Sequence, residues 1–446
     1  MPISGFPEWL PAQRIIEQRV IDRIRSTFEL YGFAPLETRS VEPLETLLSK
    51  GETSKEVYVL KRLQDSGSDA DAGMGLHFDL TVPFARYVLE NAGKLEFPFR
   101  RYQIQKVWRG ERPQEGRFRE FTQADIDIVG RDDLAFHHDI EVARVMVAAL
   151  SGLEFLPGFV LQVNNRKLIQ GFYAGLGAPN PERVMQLIDK LDKMPPSAVR
   201  DLLMSDAGLT GDQADKCLAL AQITSADDSF VDQVHALGVT DPLLDEGLSE
   251  LAAVVDGCAD VVSERVRVVA DLKIARGLDY YTGTVFETRL NGSESLGSIC
   301  SGGRYDSLAT DGKTSYPGVG ISFGLSRTLV PLVSKGQVTA SRSVPSVVLV
   351  ALADDESRAG ADKIANRLRA RGIACEVAPD AAKFGKQIRY AEKRGIPFVW
   401  FTGAEGGSEV KDIRSGDQVA ADPDQWMPPT IDLRPQVITT NKEQQP

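Results

Sequence analysis

Residues 99–130 contain two runs of alternating side chains on either side of a charged loop, a pattern that constrains the fold more than any other stretch. The alternating positions are Tyr102, Ile104, Lys106 and Trp108 in the first run and Phe121, Gln123, Asp125 and Asp127 in the second. A repeat of two residues is typical of a β-strand, because successive side chains point to opposite faces. The stretch therefore predicts two strands joined by a long hairpin loop.

Helical and strand-like patterns surround this hairpin. Apolar residues recur at helical spacing over residues 12–31, and a further helix is predicted from about residue 134 to 150. Residues 160–260 have a mostly helical pattern, and the alternation of strands returns over residues 265–290. Strands and helices are therefore expected to share one large α/β (α+β) domain.

The C-terminal quarter forms a separate unit in this interpretation. Residues 333–345 have the composition of a linker, and beyond them short apolar strands alternate with helices predicted at 356–371 and 384–394. Such alternation is typical of a small α/β domain with a largely parallel sheet, which we place at residues 346–436. The polar residues 437–446 are expected to form a disordered tail.

Charge and cysteine usage narrow the class of protein. The net charge is −12, but residues 171–260 hold 16 Asp and Glu against 5 Lys and Arg, so the acidity is concentrated in one block. Four scattered cysteines without a CxxC pair predict reduced thiols in a cytosolic protein. No apolar run reaches the roughly 18 residues of a membrane helix, and the first residues lack a signal-peptide pattern. A soluble cytoplasmic enzyme is expected.

The hairpin loop carries the arginines Arg109, Arg112, Arg117 and Arg119. A charged loop of this kind is often only a solvated hairpin tip. Guanidinium groups also match phosphate oxygens, so the same loop could hold a triphosphate, with Glu111 accepting from an adenine amino group and Phe121 stacking on the ring. Since no P-loop or GxGxxG motif accompanies it, this would be neither of those nucleotide sites.

Several motifs together resemble those of the histidyl-tRNA synthetases, a family of class II aminoacyl-tRNA synthetases. Arg109-x-Glu111 followed by Phe121 looks like the second class II motif, and "GVGISFGLSR", with Gly324 and Arg327, looks like the third. "RGLDYYTGTVFE" (residues 276–287) and "GGRYD" (residues 302–306) are similar to the two histidine-specific signatures. "DLTVPFARY" and "KFGKQIRYAEKRGIPFVW" also resemble the family, so the resemblance covers residues 5–436.

The resemblance implies a fold and a domain order. A class II antiparallel sheet flanked by helices would form a catalytic domain at residues 1–332, with an acidic helical insertion at 171–260. Residues 346–436 would bind the anticodon. A homodimer is implied as well, although Arg39 lies near the position where the first class II motif often has a proline.

The resemblance also implies an activity, ATP-dependent joining of L-histidine to tRNA(His) with Mg²⁺ as the assisting metal. The catalytic residues would be Arg109, Arg276 and Arg327. Arg109, Glu111, Arg117, Phe121 and Arg327 would bind ATP. The transition state carries extra negative charge on the α-phosphate, which arginines on both sides would stabilise.

The histidine pocket implied by the resemblance is made of residues from five segments: Asp79, Leu80, Thr81, Arg109, Gln123, Asp127, Arg276, Tyr280, Tyr281 and Tyr305. Some relatives have glutamate at the Asp127 position, so the carboxylate here is one methylene shorter. The two adjacent tyrosines should point to opposite faces.

The helix at 384–394 places Lys386, Arg389 and Lys393 on one face. That face could simply be solvated, but the resemblance implies that this domain contacts the tRNA. The acidic insertion is a poor candidate for a broad tRNA contact because phosphates would be repelled. Two alternatives without aminoacylation stay open: a histidine-sensing paralogue such as the regulatory subunit of ATP phosphoribosyltransferase, and a tRNA-binding regulatory module.

Overall fold

The computed structural model describes residues 3–48, 56–63, 73–274, 281–307, 309–402 and 407–440. In these ranges the α-helices α1–α13 span, in chain order, Pro11–Leu30, Leu44–Leu48, Thr81–Asn91, His137–Ser151, Arg166–Gly175, Pro181–Ile188, Pro196–Ser205, Gly211–Gln222, Phe230–His235, Pro242–Gly257, Leu325–Ser334, Arg358–Ala370 and Phe384–Arg394. None of these helices is long and apolar enough to cross a membrane.

The strands β1–β19 are short except in the large sheet. In chain order they span Ala34–Pro35, Val41–Pro43, Val59–Leu60, Met74–Leu76, Phe99–Trp108, Glu120–Val129, Phe159–Asn165, Thr224–Ser225, Val266–Asp271, Thr284–Leu290, Cys300–Tyr305, Gly318–Gly324, Val338–Ala340, Val348–Val350, Cys375–Val377, Phe398–Thr402, Ser408–Asp412, Gln418–Ala420 and Val437–Thr439.

The chain divides into two compact units. One unit contains Met1–Pro7 and Arg23–Pro331, and the other contains Glu8–Asp22 and Leu332–Pro446. The four cysteines are free and buried, as expected for reduced thiols.

A nine-stranded sheet organises the first unit, in the order β1-β5-β6-β12-β11-β10-β7-β9-β8. All its pairings are antiparallel except β1 with β5 and β7 with β9. The predicted hairpin consists of β5 and β6, which have 10 residues each, and β6 lies beside β12. The prediction of an antiparallel sheet flanked by helices is confirmed.

The two faces of the sheet differ in chemistry. The even-numbered β6 residues Ala124, Ile126 and Ile128 are fully buried, and the buried face of α4 packs on this side. The odd-numbered residues of β5 and β6 pair across the strands as Arg101–Asp127, Gln103–Asp125 and Gln105–Gln123. The second face of the sheet is therefore polar although it is largely buried.

The acidic insertion is helical, as predicted, and belongs to the same compact unit as the large sheet. Its helices α5 and α10 cross closely at two glycines. A Cβ on Gly171 would overlap the backbone of Leu244, and one on Gly247 would overlap the backbone of Leu168. The strand β8 belongs to the insertion and pairs with β9, so the insertion supplies the edge strand of the large sheet.

The second unit contains a five-stranded sheet in the order β15-β14-β16-β17-β18. Only β15, β14 and β16 are parallel, so the expectation of a largely parallel sheet was wrong for β17 and β18. Five residues separate Thr402 from Ser408. A connection of that length cannot cross over the sheet, so the next strand must run antiparallel.

Two segments predicted to be irregular form a small ladder instead. Val338–Ala340, inside the predicted linker, pairs with Val437–Thr439, the beginning of the predicted disordered tail. The physical reason is that β-branched residues such as Val338, Val437 and Ile438 favour strands once a partner strand is available. That partner lies about a hundred residues away in sequence, beyond the reach of local patterns.

Candidate active site

A cavity of about 230 Å³ lies beside the ends of β5 and β6 and opens to solvent. Three of its lining residues are arginines, Arg109, Arg117 and Arg327, which come from the end of β5, the hairpin loop and the first turn of α11. Glu111 is the one carboxylate among the described lining residues. The cavity is therefore positively charged, although the chain as a whole is acidic.

Each arginine is held in place by a local contact. The Arg109 Nε donates to the Phe78 carbonyl oxygen at 3.0 Å, and its guanidinium lies 5.2 Å from the centre of the Phe121 ring. The Arg327 Nη1 donates to the Ser298 carbonyl oxygen at 2.6 Å. Arg117 lies 3.4 Å from Glu111 across the loop.

The arginines also act on one another. Burial lowers the pKa of Arg327, and the neighbouring charges of Arg117 and Arg109 lower it further. Three guanidinium groups that repel one another around a cavity are stabilised by an anion, and phosphate oxygens match their N–H geometry. The sequence prediction grouped these residues with Phe121, and the structure brings all of them to one cavity.

Farther along the same face of the sheet lies a buried carboxylate, Asp127. Its Oδ1 accepts a hydrogen bond from the Tyr305 hydroxyl at 2.8 Å, and its Oδ2 lies 2.6 Å from the Arg101 Nη2. Burial raises the pKa of Asp127, whereas Arg101 and the Tyr305 hydrogen bond favour the ionised form. Arg101 and Tyr305 thus offset part of the effect of burial on the Asp127 carboxyl group.

Glycines on β12 make this arrangement possible. Tyr305 on β11 pairs with Gly318, and Asp127 on β6 pairs with Gly320, so β12 lies between the two side chains that meet. A Cβ on Gly318 would overlap the Tyr305 ring, and one on Gly320 would overlap the Asp127 carboxylate. The absence of side chains at these two positions lets Tyr305 reach across β12.

The "GGRYD" motif has a similar steric role next to Tyr281. A Cβ on Gly303 would lie 2.9 Å from Cδ1 of the half-buried Tyr281 ring. Tyr281 packs beside the cluster that contains Tyr305, so the structure brings these two predicted pocket residues together. Arg276 and Tyr280, which the sequence also placed in the pocket, lie outside the described residues.

The segment before α3 supplies three further predicted residues. Asp79 is 5% exposed, and its Oδ1 accepts a hydrogen bond from the Val82 backbone N–H at 3.0 Å. Leu80 is buried, and its carbonyl oxygen lies 3.5 Å from the Arg101 Nη2. Thr81 is the half-buried first residue of α3. The electrostatic influence of Asp79 extends to Asp127, which indicates that the two carboxylates share one region.

Three residues of this region were not proposed from the sequence: Arg101, Asp125 and Ser322. The sequence pattern could have indicated Arg101 and Asp125. Both occupy odd-numbered positions of the two alternating strands, on the same face as Gln123 and Asp127. Ser322 could be found only from the register of β12, which pairs it with Asp125.

The predicted basic face of the second unit lies on α13. Lys386, Arg389 and Lys393 are exposed to solvent. Arg394, at the end of the same helix, instead forms an ion pair with Glu376 at 2.8 Å. The three exposed cations remain available to a negatively charged partner.

Comparison with known proteins places the chain in a family. Residues 5–328 match the family model described as histidyl-tRNA synthetase. This chain belongs to the histidyl-tRNA synthetase family. Residues 346–427 match a second model, the anticodon binding domain.

Members of the histidyl-tRNA synthetase family are similar to this chain over nearly their full length. A histidine–tRNA ligase of Cutibacterium acnes is 60% identical, with 98% of this chain and 99% of that protein covered. A histidine–tRNA ligase of Micrococcus luteus is 56% identical, with 98% of each chain covered. The crystal structure of histidyl-tRNA synthetase from Nostoc sp. PCC 7120 superimposes with a TM-score of 0.84 at 35% identity, over 95% of this chain and 97% of that one.

Proposed function

We infer that this chain is a histidine–tRNA ligase, an enzyme that uses ATP to activate L-histidine as histidyl-adenylate and then transfers the histidyl group to the 3′ end of tRNA(His). One observation carries this inference: the arrangement of charge along β6. Arginines surround the cavity near Phe121, and buried carboxylates lie towards Asp127. ATP and an amino acid with a cationic ammonium group need these opposite charges side by side.

We assign the catalytic roles to Arg109, Arg276 and Arg327. In the activation step a carboxylate oxygen of histidine bonds to the α-phosphorus of ATP while the bond to the pyrophosphate oxygen breaks. The histidine carboxylate is already ionised at neutral pH, so the step requires no general base. Negative charge increases on the α-phosphate, and fixed guanidinium groups beside it stabilise the transition state.

We assign ATP binding to the lining of the cavity. The Arg109 guanidinium lies over the Phe121 ring. We assign the opposite face of that ring to stacking on adenine. Glu111 can accept from the adenine amino group, and Arg117 and Arg327 can hold the β- and γ-phosphates. Burial is the main reason that the pKa of Arg327 is lowered, and repulsion from Arg117 and Arg109 lowers it further; the bound triphosphate then relieves that repulsion.

We assign histidine binding to the polar region around Asp127. The Tyr305 hydroxyl donates a hydrogen bond to Asp127, so its oxygen can accept a hydrogen bond from an imidazole N–H. We assign Tyr281 and Leu80 to this part of the pocket as well, and the family resemblance adds Tyr280. Asp79, Thr81 and Gln123, whose side chains carry oxygen acceptors, would hold the ammonium group, and Arg109 and Arg276 would face the carboxylate.

Mg²⁺ would bind with ATP in the cavity beside Arg327. Glu111 is the one carboxylate among the described lining residues, so most ligands of the ion would be phosphate oxygens and water. Protein sites for Mg²⁺ often use one or two carboxylates, with the remaining ligands supplied by substrate phosphates and water. When bound, Mg²⁺ would neutralise charge on the phosphates.

We propose that the exposed basic face of α13 contacts the anticodon arm and that the acidic insertion does not form a broad contact with tRNA. The boundaries of the functional domains would then be 1–332 and 346–436, with a short connection between them. We further propose a homodimer in the cytoplasm, as for the family resemblance described above.

The test is histidine-dependent exchange of pyrophosphate into ATP, followed by charging of tRNA(His). A ligase performs both reactions, and no other amino acid replaces histidine efficiently. Exchange without charging would contradict the second step. Absence of exchange by folded protein that still binds histidine would favour the histidine-sensing alternative, and tRNA binding without exchange would favour the regulatory module.

A further inference from the structure

The segment that contains Tyr281 is joined to the "GGRYD" motif by a hydrogen bond between two side chains that the pocket assignments above leave out. The Thr282 hydroxyl donates to the Asp306 Oδ2 at 2.5 Å. The backbone N–H of Thr282 donates to the Arg304 carbonyl oxygen at 2.9 Å. The motif therefore holds both the backbone and the side chain of the residue that directly follows Tyr281.

The register of β10 with β11 explains this contact. Val285 on β10 pairs with Gly303 on β11 in an antiparallel arrangement. In such a pair, each step backwards along one strand corresponds to a step forwards along the other. The same register, extended beyond the strands, places Thr282 opposite Asp306. The two side chains therefore meet just outside the ladder, where the chain enters β10 and leaves β11.

A buried arginine lies beside Asp306. Arg304 is 7% exposed, and its Nε and Nη2 donate to the Asp139 Oδ2 on α4 at 3.0 and 2.7 Å. Its remaining nitrogen, Nη1, lies 3.7 Å from the Asp306 Oδ1. One oxygen of Asp306 thus faces a cation that α4 holds in place, while the other oxygen accepts from Thr282.

This anchor and the proposed histidine pocket lie on opposite faces of the sheet. Arg304 and Tyr305 are neighbours on β11, and the side chains of such neighbours point to opposite faces. Arg304 accordingly meets α4, whereas Tyr305 donates to Asp127. The Tyr281 ring packs against the cluster that contains Tyr305. The anchor can therefore fix the backbone beside Tyr281 without contacting the substrate.

We propose that Thr282 and Asp306 are positioning residues, whose hydrogen bond fixes the backbone next to Tyr281 and so holds the Tyr281 hydroxyl in place for the imidazole of the bound histidine. This inference rests on the proposed function, because it takes the imidazole as the group that Tyr281 contacts. It gives the last residue of the "GGRYD" motif a role in amino-acid recognition.

The hydrogen bond can be removed without a large effect on folding. The Asp306 side chain is 46% exposed, so water can solvate its carboxylate when the hydroxyl donor is lost. Only a buried group left without a partner has a large cost in stability. Thr282→Val has nearly the same size and removes the hydroxyl alone. The midpoint of urea unfolding should therefore stay close to that of wild type.

Thr282→Val should raise the KM for histidine about fivefold in pyrophosphate exchange, because a displaced hydroxyl makes a longer and less linear hydrogen bond. The KM for ATP and the kcat should change less than about twofold. Thr282→Ser keeps the hydroxyl and should stay within about twofold of wild type. Asp306→Ala removes the acceptor and should match Thr282→Val. Histidine and ATP KM values that rise together in Thr282→Val would indicate a general structural role and would overturn the proposal.

The decisive experiment repeats the substitution in a Tyr281→Phe background. If the hydrogen bond acts through the Tyr281 hydroxyl, adding Thr282→Val to Tyr281→Phe should raise the histidine KM less than about twofold further. Increases that simply multiply would show that the two residues act independently and would overturn the proposal. If Thr282→Val does not fold, Asp306→Ala makes the same comparison.

Ser415→Ala is a matched control in the second unit. The Ser415 hydroxyl donates to the Asp417 carboxylate at 2.8 Å, so this substitution breaks a hydrogen bond of the same kind. It should leave the KM values for histidine and ATP unchanged. Absence of histidine-dependent exchange in wild type would contradict the proposed function. Normal exchange by wild type, with a Thr282→Val histidine KM equal to that of Ser415→Ala, would contradict only this inference.

Discussion

The Arg101 Nη2 lies 2.6 Å from the Asp127 Oδ2, in an ion pair that joins β5 to β6 and is almost completely removed from solvent. The Arg101 guanidinium also lies 4.3 Å from the centre of the Phe84 ring. Burial of two opposite charges is tolerated when each has its partner, but removal of one leaves the other uncompensated. The pair therefore connects the stability of the sheet with the chemistry of the proposed histidine pocket.

Arg101→Met should destabilise the protein by about 3–5 kcal/mol, because the buried Asp127 loses its cation. Urea unfolding monitored by circular dichroism measures this change. Asp127→Asn in the same background should recover part of the loss, since it removes the unpaired charge. Strictly additive effects of the two substitutions would show that the pair is not coupled.

Gly320→Ala should weaken histidine binding, because the added Cβ overlaps the Asp127 carboxylate and displaces it from Tyr305. We expect a histidine KM increased by roughly tenfold or more, with a smaller effect on the KM for ATP. Gly93→Ala is the matched control, since nothing lies within 4 Å of the position that its Cβ would occupy. Equal kinetics for the two variants would contradict the steric role of Gly320.

Arg327→Ala should lower histidine activation by roughly 10²-fold, as expected when a fixed charge beside the reacting phosphates is lost. Pyrophosphate exchange at varied ATP concentrations measures it. Arg183→Ala is the control, because Arg183 is ion-paired with Asp206 on the surface of the insertion. An Arg327→Ala enzyme as active as this control would exclude the proposed role.

Asp125 should make stability depend on pH. Its pKa is raised to about 7 by burial, and the charges around it are Arg101, Asp127 and Asp79. The unfolded chain releases this proton near pH 4, so the protonated folded form is favoured at low pH and this contribution is lost as pH rises through about 7. Asp125→Asn should therefore gain stability relative to wild type between pH 5 and pH 8 in urea unfolding. A difference that does not change with pH would contradict burial of an ionisable Asp125.

The basic face of α13 should matter only for the reaction that involves tRNA. Joint replacement of Lys386, Arg389 and Lys393 by alanine should leave pyrophosphate exchange unchanged and raise the KM for tRNA. Each lost phosphate contact should reduce the slope of log affinity against log salt by about 1.

A matched triple variant on α12 provides the control for that experiment. Lys363, Arg367 and Arg369 are also exposed, and Arg367 is ion-paired with Asp422 at 3.0 Å. Replacement of these three by alanine should change the tRNA KM and its salt dependence much less. Identical charging by both triple variants across a salt series would exclude α13 as the tRNA contact.

The sequence by itself determined the elements whose pattern is local. Alternation predicted the hairpin of β5 and β6, helical spacing predicted α1 and α13, and the arginines of the loop indicated an anion site. These features depend on residues a few positions apart, and chain geometry brings such residues to one face whatever the rest of the fold does.

The tertiary structure alone decided which of these residues act on each other. Gln123 and Ser322 are 199 positions apart in sequence, and only the register of β6 with β12 brings them into hydrogen-bonding distance. The same register lets the Tyr305 hydroxyl reach across Gly318 and Gly320 and donate a hydrogen bond to Asp127. Charge pairing and hydrogen-bond direction depend on distances of a few ångströms between strands, and a one-residue shift in register would turn every one of these side chains to the other face.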